Sequence, residues 1–210
     1  KLTIPISIDT QKSVVALRAA LSGAELINDI SALRSDPQLA DVARKHRLPV
    51  ILMHMRGTPR NMQKRPFARD VLRDVTAGLR AAVARARKAG LKREQLILDP
   101  GIGFGKSFRQ NYELLAHLDQ LARLGYPLLV GTSRKTFIGA TLAQALLPVP
   151  ASHGGKKGGE IPIAPPSERI WGTAATITAA ILGGAHIVRV HDVAEMVQVA
   201  RTADAVLGAL

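Results

Sequence analysis

The strongest constraint on what this chain can become is an alternation. Six short apolar runs recur along its 210 residues: PISID (5–9), ELINDI (25–30), PVILMHM (49–55), QLILDP (95–100), YPLLVGT (126–132) and HIVRVHD (186–192). Runs this short, rich in Val, Ile and Leu, read as strands buried on both faces. Helical periodicity fills 11–22, 36–46, 67–89, 108–124, 172–183 and 193–208. Gly23, Gly90 and Gly125 follow helices as stops, and Ser35-Asp36-Pro37 reads as an N-cap with Pro in the first turn. A strand that reaches its parallel neighbour through a helix builds a parallel sheet with helices outside it.

Each apolar run ends in chemistry. The ends carry Asp9-Thr10, Asn28-Asp29, His54, Asp99, Gly131-Thr132-Ser133, and Arg189 with His191. A doubly wound sheet places function at its switch point only, whereas a (β/α)₈ barrel gathers it at the C-terminal ends of all its strands. Six functional ends of six therefore predict an α/β fold of TIM-barrel type with about six of its eight βα units in this chain. Barrels need about 250 residues, and the two absent units are expected at the N-terminus. Residues 1–210 form one expected domain, with the Pro-, Gly- and Lys-rich stretch 147–169 as a flexible surface insertion.

Composition narrows the partners. The formal net charge is +13, yet aromatics make up only 3% and the basic residues are spread through Ala-rich helical stretches, so nucleic acid is not the expected partner. A basic surface also attracts small anionic substrates. No apolar run reaches the ~18 residues of a membrane span. The first residues, KLTIPISIDT, lack a signal peptide's apolar core, and cysteine is absent. A cytoplasmic location follows as the expectation.

The stretch LILDPGIGFGKS, 96–107, resembles a phosphate-binding loop but fails its template. Counting back from Gly105-Lys106-Ser107, the first glycine of a P-loop falls on Pro100, which has no N–H. The dinucleotide fingerprint fails as well, since Lys106 stands where its third glycine belongs. The residue left to explain is Asp99. A lone Asp at a strand end can simply cap a loop, and so can Asp9. With Asn28, however, two carboxylates and an amide in one mouth suit a flat heterocycle with adjacent N–H donors and a carbonyl.

GTSRKTF (131–137) brings Arg134 and Lys135 to the next strand end, and RVHD (189–192) alternates Arg189 and His191 onto one side. Read as surface charges they do nothing; read together in a barrel mouth they suit an anion such as phosphate. His54 is either a metal ligand or a structural histidine. Met53 and Phe104 are either core or pocket wall. No arrangement of Ser-His-Asp, Cys-His or HExxH is present.

In that order and spacing, ISIDT, INDI, PVILMHMRGTP, LILDPGIGFGK, GTSRKTFIG and RVHD resemble the dihydropteroate synthase family of the folate pathway, the sulfonamide target. Related pterin-binding methyltransferase domains share the Asp and Asn positions and DPG, but are not expected to carry GTSRK with RVHD. A truncated, non-catalytic ligand-binding relative is the other alternative. The resemblance implies condensation of p-aminobenzoate with 6-hydroxymethyl-7,8-dihydropterin diphosphate, with Mg²⁺ helping and pyrophosphate leaving. It implies catalytic roles for Asp99, Lys135 and Asp9, and a pterin pocket of Asp9, Asn28, Ile30, Met53, Asp99, Phe104, Gly131 and Lys135. Arg189 and His191 would hold the diphosphate, and Lys135 with Thr136 would border the aminobenzoate, Thr136 standing where the family more usually has Ser. The metal ligand and two mobile loops belong to the N-terminal units that this chain lacks, so no metal ligand is expected here. A homodimer is the implied assembly.

Overall fold

Six strands form in chain order: β1 (Ser7–Asp9), β2 (Leu26–Asp29), β3 (Val50–Met53), β4 (Leu96–Asp99), β5 (Leu129–Val130) and β6 (Ile187–Val188). The computed structural model describes residues 3–58, 61–62, 68–146 and 162–209. β1 to β4 make one parallel sheet in sequence order, and β5 pairs in parallel with β6. A single parallel bridge, Leu98 to Leu128, joins the two sets. The result is an arc of a βα barrel, with no strand pairing between β1 and β6 among the described residues.

The helices are α1 (Ser13–Leu21), α2 (Gln38–His46), α3 (Val71–Lys88), α4 (Phe108–Ala116), α5 (Leu118–Ala122), α6 (Thr136–Leu146), α7 (Ile170–Leu182) and α8 (Val193–Gly208). α3 shows why they form: Val71, Val75, Leu79, Ala82 and Ala86 bury one stripe. Asp70 caps its start by accepting from the Arg73 N–H at 2.9 Å, and basic residues crowd its last turn. Gly90 then turns the chain at φ +84°. Asp36 accepts from the Gln38 N–H at 3.0 Å and the Ser13 N–H at 2.7 Å, so one carboxylate serves the starts of both α1 and α2. Those bonds hold its pKa below the usual value.

Four expectations are corrected. The strands are shorter than the apolar runs, β6 stopping at Val188 before Arg189. The helix over 108–124 breaks at His117, whose φ of −120° leaves the helical range, into α4 and α5. An unanticipated helix, α6, precedes α7, because its sequence TFIGATLAQAL is apolar nearly all round and shows no amphipathic stripe. Part of the stretch 147–169 is built into the fold: Pro166–Glu168 form a 3₁₀ turn, and buried Arg169 donates to the carbonyls of Ala164 at 2.8 Å and Arg134 at 2.6 Å. The remainder of that insertion, 147–161, lies outside the described residues.

Register decides which side chains share a face. Asp9 pairs with Asn28, Asn28 with Ile51, Ile51 with Ile97, and two residues on Met53 pairs with Asp99. The opposite row runs Asp29, Leu52, Leu98 and, across the bridge, Leu128. Val50, Leu52, Leu96, Leu98, Leu128 and Val130 belong to the main core, so this second row faces the helices. By alternation Asp9, Asn28, Ile30, Met53, Asp99 and Gly131 fall on the inner face. Arg189 and His191 continue that row beyond β6.

Candidate active site at the strand ends

On one side of the mouth, the Asn28 side chain donates from Nδ2 to Asp9 Oδ2 at 3.0 Å, and Arg189 Nη2 reaches the same oxygen at 3.5 Å. Asp9 and Arg189 are 54% and 65% exposed, so their ion pair is a solvated one. Asn28 Oδ1 is buried without a hydrogen-bond partner among the described residues. The neighbouring Asp29 turns outward and is spent locally, accepting from the N–H groups of Ser31 at 2.7 Å and Leu33 at 2.6 Å.

On the other side lies Asp99, 8% exposed. Its Oδ1 accepts from the Gly101 N–H at 2.7 Å, the one hydrogen bond its carboxylate makes among the described residues. Burial raises its pKa, against the lowering influence of Lys135, the Gly101 bond, Lys106 and Arg189. The chain then turns through Gly101, Gly103 and Gly105, all at positive φ. At Gly101 a Cβ would stand 1.9 Å from the His54 carbonyl oxygen, so only glycine fits. Met53 packs beside this turn, 3% exposed. The Gly103 N–H donates to Asn111 Oδ1 at 2.6 Å, and Asn111 Nδ2 donates to the Ser107 carbonyl at 2.9 Å.

Two lysines enter this region. Lys135 donates from Nζ to the Ile102 carbonyl and sits 4.7 Å above the centre of the Phe104 ring. Burial pushes its pKa down to about 8, with Asp99 opposing and Arg189 adding to the fall. Lys106 is 4% exposed, and its Nζ donates to the carbonyls of Gly101 at 2.9 Å and Phe104 at 3.0 Å. His54 holds its Nδ1 3.2 Å from that nitrogen and its Nε2 3.7 Å from Asp74 Oδ2. Burial, followed by the charges of Lys106, Arg34 and Arg56, pushes the His54 pKa down to about 3. His54 is thus a neutral structural acceptor, and no three His, Asp or Glu side chains converge on a cation site among the described residues.

Two cavities meet at Lys135. One of about 470 Å³ is walled by Phe104, Phe108, Phe137 and Met62, with Lys106, Lys135, Thr136 and Asn111 supplying polar groups. The other, about 150 Å³, is lined by Gly131, Ser133, Lys135, Arg189 and His191. Ser133 Oγ lies 2.9 Å from His191 Nδ1 and accepts from the His191 N–H at 3.2 Å. Arg134, named with Lys135 in the sequence, points elsewhere and forks onto Asp192, with Nε to Oδ2 at 3.0 Å. Asp9, Asn28, half-buried Ile30, Met53 and Asp99 line neither of these two cavities. Sequence reasoning gave no site role to Lys106 or Asn111 and named Ser133 only as part of a polar strand end; their polar atoms find partners only after the glycine turn and the loop before α6 have folded.

A family profile described as "Pterin binding enzyme" matches residues 1–191. A dihydropteroate synthase of Synechocystis sp. is 46% identical over 205 residues, covering 98% of this chain. This chain spans 64% of that relative's length. Among solved structures, the Yersinia pestis dihydropteroate synthase with a sulfonamide drug superposes with a TM-score of 0.86 at 38% identity, over 99% of this chain and 68% of that one. The Xanthomonas albilineans dihydropteroate synthase in complex with 7,8-dihydropteroate gives 0.82 at 36% identity, over 98% and 70%.

Proposed function

The chain belongs to the pterin-binding enzyme family, and from that membership we propose that it serves as a dihydropteroate synthase, joining p-aminobenzoate to 6-hydroxymethyl-7,8-dihydropterin diphosphate. The observation that carries the reading is Asp99, a buried carboxylate on the inner face with a single hydrogen bond among the described residues. A buried carboxylate has room for several more N–H donors and gains by receiving them. The amino and ring N–H groups of a pterin supply such donors. Asn28 Oδ1, an acceptor without a donor, stands in the same row with Asp9. Ile30, Met53 and Phe104 would wall the ring, Gly131 leaves room at the next strand end, and Lys135 would donate to the ring's carbonyl side.

The larger cavity suits an aromatic carboxylate, apolar on its walls and cationic at Lys135, with the Thr136 hydroxyl at its edge. Arg189 and His191 beside the smaller cavity suit the diphosphate. The arylamine nitrogen attacks the pterin methylene, the C–O bond breaks, the amine loses a proton, and diphosphate departs with the bonding electrons. Positive charge grows on the pterin next to Asp99 while negative charge grows beside Arg189 and His191, so both interactions strengthen as the bond breaks. The described residues offer no cation cage, so no step here is routed through the Mg²⁺ that the resemblance implies.

Titrating the purified protein with the pterin diphosphate, with and without p-aminobenzoate and Mg²⁺, tests the reading. Binding followed by dihydropteroate is expected, and absence of pterin binding refutes it. Asp99→Asn should cost about 3 kcal/mol of transition-state stabilisation, roughly a hundredfold in kcat/KM; turnover equal to wild type would remove Asp99 from the mechanism.

A further inference from the structure

The glycine turn after β4 inverts the logic of a phosphate loop. There, N–H groups converge on an anion; here, carbonyl groups converge on a cation that the chain itself supplies. Positive φ at Gly101, Gly103 and Gly105 folds the turn back over its own Lys106. The Lys106 ammonium meets the carbonyls of Gly101 and Phe104, the His54 carbonyl at 3.4 Å and His54 Nδ1. Burial lowers the Lys106 pKa to about 7, and below that pH its ammonium has three donors for these four acceptors.

The contacts run straight to the ring-binding face. Gly101 is gripped at both ends of its backbone, its carbonyl by Lys106 and its N–H by Asp99. Phe104 is gripped at its carbonyl by Lys106 while its ring lies under Lys135. His54 belongs to the loop after β3, so one ammonium ties two adjacent strand-end loops together. We propose that Lys106 is a positioning residue for the pterin site, its ammonium locking the β3 and β4 loops so that Asp99 and Phe104 keep their places against the ring. The ligand in this statement rests on the function proposed above; the loop-locking itself does not.

Lys106 also lines the larger cavity, the one proposed for p-aminobenzoate, so pterin affinity measured without p-aminobenzoate reads its effect through geometry alone. The groups facing it are His54 from the β3 loop, Asp99 from β4, Lys135 from the β5 loop and Asp74 from α3. Lys106→Met keeps the length and apolar stem while removing the donors. Pterin affinity should fall about tenfold to a hundredfold, the span expected for losing hydrogen bonds to a charged group. Lys106→Ala should lose it as well, and propylammonium, which completes the missing side chain, should restore it where propanol does not.

Hydrogen exchange provides a readout independent of any pterin. Amides at Gly101, Gly103 and Phe104 should exchange faster in both variants, while α3 and α4 keep their protection. Unchanged exchange at those amides overturns the proposal. So does pterin binding by Lys106→Met at wild-type affinity, or equal rescue by propanol and propylammonium. Failure of the wild-type protein to bind pterin overturns the functional reading instead, and the exchange data then decide the loop-locking alone. If Lys106→Ala does not fold, affinity and exchange in Lys106→Met decide; if Lys106→Met does not fold, Lys106→Ala and its amine rescue decide.

Discussion

Lys135 serves three neighbours at once: the Ile102 carbonyl, the face of Phe104 and the field of Asp99. Because burial pulls its pKa down to about 8, its charge is lost within an accessible pH range. Affinity for the pterin diphosphate should decline as pH rises through about 7, where Lys106 loses its charge, and again through about 8, where Lys135 does. Lys135→Arg, charged throughout, should remove the upper step in titrations from about pH 5.5 to about 9.5. Stability moves the other way: the unfolded lysine still binds a proton between about 8 and its ordinary 10.5, so this group adds to folding stability as pH climbs across that window. Residues of this kind differ in legibility. Asp9, Asn28 and Asp99 could be read from the sequence because each closes an apolar strand, where alternation and strand direction fix the face. Lys106 could not, since its side chain bends back toward carbonyls that only three left-handed glycines bring within reach. Arg134 and Lys135 are neighbours in one motif, yet one forks onto Asp192 and the other enters the site; that division depends on where α8 begins.

Elements add a second layer, and α3 illustrates it. Gly78 sits inside this helix, where alanine ordinarily gains about 1 kcal/mol. A Cβ at that position would stand 2.4 Å from His54 Cδ2. The ring has little freedom to retreat, with Lys106 on one nitrogen and Asp74 near the other. Gly78→Ala should therefore destabilise the protein by about 1–3 kcal/mol, the scale of overpacking, read from the denaturation midpoint; a raised midpoint would show that the ring is not pinned. The same logic explains what pattern reading found and missed among elements. α3 was legible because its buried residues form one stripe with a cap and a basic end. α6 was not, because nearly all its positions are apolar and Gly139 interrupts it, as buried Arg169 requires by lying where a Cβ would be.

The described residues form an open arc, and its rims carry apolar side chains. Ile4 and Ile6 before β1 and Val14 and Leu21 on α1 are exposed, Ile4 to 67% and Leu21 to 72%, as are Val193 and Val197 at the start of α8. An unpaired parallel edge flanked by such residues favours association with another chain, while a formal net charge of +13 opposes it. Sedimentation should show association that grows as salt screens the charge and shrinks in Ile6→Lys. Association that weakens with salt would point to a charged contact instead. The parallel arc was readable from the alternation of runs, and six runs against a barrel's eight gave the expectation that it would not close; among the described residues β1 and β6 each pair with one neighbour.

That pairing also bears on how the polypeptide reaches this shape. Among the described residues each strand hydrogen-bonds only to strands adjacent to it in sequence, and the contact between Asp9 and Arg189, 180 positions apart, is a solvated ion pair. Short-range pairing of this sort keeps loop-closure entropy small at every step. Within this arc a nascent chain leaving the ribosome can lay each βα unit on the one before it.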